Sequence, residues 1–216
     1  MKLLTIIGAR PQFIKAAAVT SALSRREVVE IILHTGQHYD ENMSDIFFKE
    51  LGISKPKYNL GVHATSHGIM TGRMLEKIEE ILLAEKPDLV MVYGDTNSTL
   101  AGSLAASKLH IPIAHVEAGL RSFNRKMPEE INRVLTDHLS EYLFVPTYAG
   151  IRNLKNEGIE KGVYHTGDVM YDAALIFGGI SDSQSNIIKE LGVIRNEYYL
   201  ATVHRAENTD DPKKLT

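Results

Sequence analysis

Three carboxylates in this sequence stand where open α/β proteins do their chemistry. Asp95 closes the apolar run LVMVYGD at 89–95. Glu117 ends a second apolar run, Ile111 to Val116, and Gly119 breaks the pattern two residues on, inside HVEAGLR (115–121). Glu129 opens an expected helix directly after Pro128. A charge at the carboxyl end of a buried strand is costly unless something uses it, and ligands of open α/β sheets bind at those ends. Each acid also has an ordinary reading. Glu117 could form a structural ion pair with Arg121 or Arg125, Asp95 or Ser98 could cap a helix, and Glu129 could complement a helix dipole. Three together at one sheet edge point to proton transfer on a small molecule, with neighbours setting acid and base apart.

Cations accompany them. The first apolar run leads into Gly8-Ala9-Arg10-Pro11 and then a helix carrying Lys15. Such a strand-to-helix turn offers backbone amides and a positive helix end, so Arg10 and Lys15 are candidate contacts for a phosphate. The polar turn Gly94-Asp95-Thr96-Asn97-Ser98-Thr99 holds more hydrogen-bonding groups than a cap requires. His204, followed by Arg205, ends a late apolar run at a position analogous to that of Asp95. The chain contains neither GxGxxG nor GxxxxGK[ST], so the usual dinucleotide and Walker signals are missing. Nine histidines include i, i+4 pairs at His34/His38 and His63/His67, but no HExxH, and TGQHYD (35–40) reads as a turn. No metal site and no cofactor are expected, because helical spacing brings two ligands together only on a helix.

The elements that must position these groups follow from periodicity. Apolar bursts at 2–7, 28–34, 89–93, 111–116, 142–145 and 163–166 alternate with helical patterns at 12–24, 42–51, 67–85, 98–109, 129–139, 147–156 and 170–177. Bursts such as LLTII and LVMVY are apolar on both faces, as in a parallel sheet covered on each side. The alternation predicts a doubly wound, Rossmann-like α/β sheet over residues 1–177. Helix starts are expected at Pro11, Ser98 and Thr147. The small polar stretch 178–190 is expected to be a linker, and 191–216, with a strand at 198–204, the incomplete start of a second such domain. That late strand has an apolar edge able to pair with another copy.

Composition excludes several classes. The 216 residues carry a net charge of −3, 44% hydrophobic and 24% charged residues, and no cysteine. This is ordinary for a soluble domain and does not suggest a nucleic-acid partner. Disulfides and thiolate metal sites are ruled out, which fits a reducing cytoplasm. No apolar run reaches the roughly 18 residues needed to span a bilayer, so no membrane partner is expected.

The motifs GARPQFIKAA (8–17), TGQHYD (35–40), YGDTNSTLAG (93–102), HVEAGLRS (115–122), PEEINR (128–133), TGDVMYDA (166–173) and HRAEN (204–208) resemble, in order, those of the non-hydrolysing UDP-N-acetylglucosamine 2-epimerases. The resemblance implies two Rossmann-like domains of the glycosyltransferase-B type with the UDP-sugar between them, and a homodimer. It implies removal of the C2 proton, loss of UDP to give a 2-acetamidoglucal, and re-addition of UDP. By motif, Asp95, Glu117 and Glu129 match the family's catalytic acids, His204 its histidine near the diphosphate, and Arg10 and Lys15 its N-terminal substrate contacts. Regulated bacterial members carry an Arg-Glu stretch after TGQH, where this chain has Tyr39-Asp40-Glu41-Asn42. The forms RPQFIKAA, GDVMYDA and HRAENTD also resemble a subgroup acting on UDP-2,3-diacetamido-glucuronate or 6-deoxy UDP-amino sugars. Two other readings are a transferase of the same architecture and a folded but inactive domain. Residues 1–216 alone are expected to fold without turning over substrate.

Overall fold

The computed structural model of the chain describes residues 1–37, 51–63 and 66–203. Seven parallel strands form one sheet: β1 (Lys2–Ile7), β2 (Val29–His34), β3 (Tyr58–Asn59), β4 (Leu89–Tyr93), β5 (Ile113–Val116), β6 (Tyr142–Val145) and β7 (Val163–His165). Their order is β3-β2-β1-β4-β5-β6-β7. The chain therefore winds outward one way from β1 and then the other way from β4, which makes the β1/β4 boundary the switch point where such sheets bind ligands. The described helices are α1 (Arg10–Leu23), α2 (His67–Glu85), α3 (Asn97–Lys108), α4 (Pro128–Leu139), α5 (Tyr148–Asn156), α6 (Val169–Gln184) and α7 (Ile187–Glu190). The expected doubly wound parallel α/β fold is the fold observed.

Strand alternation divides the core into two layers. Leu4, Ile6, Val90, Val92 and Ile113 face α2 and α3, against Met74, Ile78, Leu82, Ala101 and Ala105. Leu3, Ile7, Met91, Tyr93, Ala114 and Val116 face α1, against Phe13, Ala16 and Ala17. Alanines on α1 and α3 allow those helices close to the sheet. Gly8 marks a close approach: a Cβ there would lie 2.0 Å from Thr35 Oγ1 and 2.2 Å from Ser98 Oγ.

The structure corrects several boundaries. The N-cap of α3 is Thr96, whose hydroxyl accepts from the Thr99 amide at 3.2 Å, and neither Asp95 nor Ser98 serves as the cap. The cap of α5 is Thr147, as expected. The stretch from Gly178 expected as a linker is helical to Gln184. Ile176 and Ile180 keep a helical spacing there, and Gly178 and Gly179 weaken a helix by only about 1 kcal/mol each. Residues 198–203 form no strand, and no described strand pairs with them; an extended segment without a partner gains no ladder hydrogen bonds. The helix expected at 42–51 lies, except for Leu51, outside the described residues, as does His204. The chain forms two compact units, Met1–Phe177 and Gly178–Thr216.

The short edge strand β3 was not expected, since two residues carry no periodic signal. It is held partly by charge. The carboxylate of Glu85, at the end of α2, takes Lys2 Nζ at 2.7 Å and Lys57 Nζ at 2.6 Å, and it also accepts from the Tyr58 hydroxyl. Hydrogen bonds from Lys2, Lys57 and Tyr58 hold the Glu85 carboxyl down at about 2, from an ordinary 4.5. A depressed carboxyl contributes stability above its unfolded value and loses it as pH falls through the folded one. Glu85→Gln should therefore be less stable than the parent at pH 7. The difference should close between pH 4.5 and about 2, measured as urea midpoints along a pH series. A pH-independent difference would show that these contacts do not couple to folding.

Candidate active site

The site grows from three adjacent strand ends. Val92 pairs in register with Ile6 and Tyr93 with Val116, so Gly8, Gly94 and Glu117 emerge side by side from β1, β4 and β5. The turn after β1 is closed from within. Gln12, 1% exposed, accepts from the Gly8 amide at 2.8 Å and the Ala9 amide at 3.0 Å. Its amide nitrogen donates to the Tyr93 carbonyl at 2.8 Å and reaches the Thr96 and Thr99 hydroxyls at 3.0 Å each. One side chain thus welds the β1–α1 turn to the β4–α3 turn. It also occupies two amides that the sequence suggested for an anion; Arg10 is exposed on the first turn of α1.

The start of α3 receives a second brace from the TGQ motif. Gln37 Oε1 accepts from the Ser98 amide at 3.0 Å and from its hydroxyl at 2.8 Å, while Thr35 and Ser98 hydroxyls meet at 2.8 Å. From the other side α4 reaches in. Asn132 donates to the Asp95 carbonyl at 2.9 Å and to Asn97 Oδ1 at 3.2 Å, and Arg133 pairs with the Asp95 carboxylate. Asp95 keeps 32% of its side chain exposed, enough to meet a ligand.

Glu117 has a left-handed backbone, with φ 76°. Alternation along β5 would turn position 117 toward the face of Ile113 and His115. The positive φ ends the strand and re-aims the carboxylate toward α1, where it pairs with Lys15. The partner is therefore neither Arg121 nor Arg125. For a side chain with a Cβ this conformation costs about 1–2 kcal/mol, which the surroundings must supply. They do so at three amides and one carbonyl. The Glu117 and Ala118 amides donate to the Phe144 carbonyl at 3.0 Å each, the Gly119 amide to Asp137 Oδ2 at 3.0 Å, and Asn153 donates to the Gly119 carbonyl at 2.9 Å. Glu117 is 21% exposed and Lys15 10%, by side chain. Glu117 also borders a cavity of about 320 Å³ whose other walls include Val19, Met91, Phe144 and Val169.

The trio of acids is not assembled alike. Glu129, second residue of α4, is exposed, whereas its neighbour Glu130 is 2% exposed. Glu130 accepts from the Ser122 amide at 2.8 Å and the Phe123 amide at 2.9 Å and so pins the loop that precedes α4. Burial pushes the Glu130 carboxyl up, but the Ser122 and Phe123 hydrogen bonds and Arg133 bring it below its ordinary value. The doublet could not be sorted from sequence, because one residue of slip decides which glutamate faces the loop.

Sequence reasoning also missed a buried network. Asp137, 1% exposed, accepts from His115 Nδ1 at 2.7 Å and from Arg121 Nη1 at 2.7 Å. Arg121 makes a two-pronged pair with Glu157 at 2.7 and 2.8 Å. Burial raises the Asp137 carboxyl, but His115 and Arg121 outweigh it and hold it below its ordinary value. The available signal was the polar His115 inside an apolar strand, since a buried polar group implies a partner. Among the described residues no cluster of three His, Asp or Glu side chains could hold a metal ion, and no helix is long and apolar enough to cross a membrane.

Comparison with known proteins gives the family of this chain. Residues 21–216 match the family described as UDP-N-acetylglucosamine 2-epimerase. The chain belongs to this family. A UDP-2,3-diacetamido-2,3-dideoxy-D-glucuronate 2-epimerase of Pseudomonas aeruginosa is 60% identical over 100% of this chain and 61% of its own length. A UDP-N-acetylglucosamine 2-epimerase homolog of Methanococcus maripaludis is 62% identical over 100% of this chain and 60% of its own. The crystal structure of Methanocaldococcus jannaschii UDP-GlcNAc 2-epimerase in complex with UDP-GlcNAc and UDP superposes with a TM-score of 0.93 at 51% identity, covering 100% of this chain and 60% of that one. The chain thus spans about three fifths of the length of these relatives. Acinetobacter baumannii MurG, at 14% identity and a TM-score of 0.55, shares the fold alone.

Gly119 lies at φ 78°, and a Cβ there would sit 2.6 Å from the Gly150 carbonyl oxygen. Gly119→Ala should destabilise the protein by more than about 1 kcal/mol, because strain and clash act together where only glycine fits. Thermal unfolding checks this: an unchanged midpoint would mean that the turn relaxes freely.

Proposed function

We propose that the protein is a 2-epimerase of a UDP-linked 2-acetamido sugar. The observation that carries this reading is the pair of partly exposed carboxylates, Asp95 and Glu117, at adjacent strand ends beside the switch point, each held by a cation on a neighbouring helix. Such a pair suits proton transfer at a carbon that is deprotonated on one face and reprotonated on the other. The proton leaves C2, the C1–oxygen bond breaks with its electron pair departing on UDP, and a C1–C2 double bond forms. Addition of UDP to C1 and of a proton to C2 from the opposite face reverses these steps with inverted configuration. Glu129, exposed at the start of α4, is the third acid of the reading, and His204 matches by motif the family's histidine for the diphosphate. Arg10 meets the diphosphate side; Lys15 orients Glu117 and lies beside Gly94, within 3.4 Å of where a Cβ would stand.

The sugar we favour is N-acetylglucosamine, interconverted with N-acetylmannosamine. A second reading, UDP-2,3-diacetamido-glucuronate, is favoured by the 60% identity to the Pseudomonas aeruginosa enzyme over the whole chain. Residues 1–216 alone are expected to bind UDP weakly and give no sustained turnover. Of the site's described cations, Lys15 and Arg133 are already engaged by Glu117 and Asp95.

The test is made on the full-length polypeptide, supplied with each UDP-sugar in deuterium oxide. Asp95→Asn, Glu117→Gln and Glu129→Gln should each slow turnover by about 100-fold or more, the scale of a lost general acid or base. Arg10→Ala should weaken UDP-sugar binding. Deuterium should enter C2 of the product with the parent enzyme. Absence of C2 exchange with every UDP-amino sugar would overturn the epimerase in favour of a transferase. An undiminished exchange rate in one variant would remove that residue from the chemistry.

A further inference from the structure

We propose that Asp137 is a positioning residue that couples the two acid-bearing turns, setting Asp95 through His115 and Glu117 through the Gly119 amide. The inference rests on the epimerase reading for its consequence and on geometry for its mechanism.

His115 and Asp137 are both fully buried, with 0% side-chain exposure, and lie far from solvent that could satisfy them. His115 stands in the middle of an otherwise apolar strand, where a valine would pack without polar cost. Its two ring nitrogens face two different turns. Nε2 donates to the carbonyl of Gly94, the residue before Asp95, at 2.7 Å. Nδ1 donates to Asp137 Oδ1 at 2.7 Å. The other oxygen of the same carboxylate takes the amide of Gly119, two residues after Glu117, at 3.0 Å. A continuous run of hydrogen bonds therefore joins the Gly94 carbonyl, the His115 ring, the Asp137 carboxylate and the Gly119 amide. Neither Asp137 nor His115 reaches the open part of the site, so neither is a candidate to touch substrate.

The bridge has an anchor. Arg121 donates to Asp137 Oδ2 at 2.7 Å and is fixed in turn by Glu157, so the carboxylate cannot swing. It also has a load. Glu117 is held at φ 76°, and an unbraced turn would relax toward a conformation that points its carboxylate elsewhere. Buried charge of this kind gains little stability over an apolar replacement, so its presence is better accounted for by geometry than by folding energy. A misplacement of about 1 Å in a catalytic group can cost on the order of 100-fold in rate, whereas the same shift barely alters the binding of a large substrate.

Two substitutions separate positioning from bulk stability. An asparagine at 137 can still accept from Gly119 and Arg121 with its oxygen and can donate its amide to Nδ1 of a ring protonated only at Nε2, so the bridge survives without the charge. An alanine removes it. In the full-length polypeptide, Asp137→Ala should lower kcat about 100-fold with KM changed less than about threefold, and Asp137→Asn should restore kcat to within about tenfold of the parent. Equal loss in both variants, a change confined to KM, or a kcat for the folded alanine variant within threefold of the parent would overturn the proposal. If the alanine variant does not fold, long-range proton–nitrogen correlation spectra of the parent and Asp137→Asn decide. Two ring N–H groups on His115 in the parent and one, at Nε2, in the asparagine variant are expected. A parent ring carrying a single proton would sink the bridge. Turnover by the parent reports on the epimerase reading independently, so an inactive parent with a doubly protonated His115 would overturn the activity and not the bridge.

Discussion

The left-handed backbone of Glu117 is the constraint on which the rest of the site depends. A carboxylate at the end of a central parallel strand has two places to go, and alternation alone would send it into the layer beneath α2 and α3. One positive φ turns it toward α1 and Lys15 instead. That turn is unfavourable in isolation, and it persists because the Phe144 carbonyl, Asp137 and Asn153 satisfy its amides and the Gly119 carbonyl. Gly119 then completes the reversal in a conformation that its lack of a Cβ makes free.

Seen from this turn, the polar residues in the interior fall into a small number of braces. Gln12 ties the end of β1 to the end of β4, Gln37 ties the residues after β2 to the start of α3, and Asn132 with Arg133 tie α4 to Asp95. Each is a side chain from one βα unit that satisfies backbone or carboxylate groups of another. An open parallel sheet needs such ties at its carboxyl edge, because strand hydrogen bonds stop there while the loops must still hold functional groups to fractions of an ångström. The amino edge of the sheet is held differently, by the charge cluster on Glu85, which is more exposed and bears on the edge strand rather than on the site.

Membership of the UDP-N-acetylglucosamine 2-epimerase family rests on the sequence match, whereas the arrangement of the acids rests on geometry. The match to the family covers residues 21–216. The geometry explains why several of those motif residues are there. In PEEINR, Glu130 pins a loop, Asn132 and Arg133 hold Asp95, and Glu129 and Ile131 face solvent. In HVEAGLR, His115 and Arg121 converge on Asp137, and only Glu117 is directed toward the site. Most of the polar side chains of both motifs hold other groups in place.

Much of this was legible in the sequence. Apolar bursts alternating with helical periods dictate a covered parallel sheet, because a strand buried on both faces needs apolar residues in every position. Acids at the ends of such bursts are conspicuous for the same reason, and Asp95 and Glu117 were found that way. What the sequence could not decide were contacts between residues far apart in the chain. That Lys15 meets Glu117, that Asp137 receives both His115 and Gly119, and that Glu130 turns inward while Glu129 turns out depend on strand order and on the rotation of α4 about its axis. The polar run after Gly178 looked like a linker because propensity is a weak prior, and it is helical to Gln184. The apolar run at 198–204 reads as a strand because alternation reports which faces could be buried, whereas a strand exists only where a partner supplies the ladder, and no described strand pairs with residues 198–203.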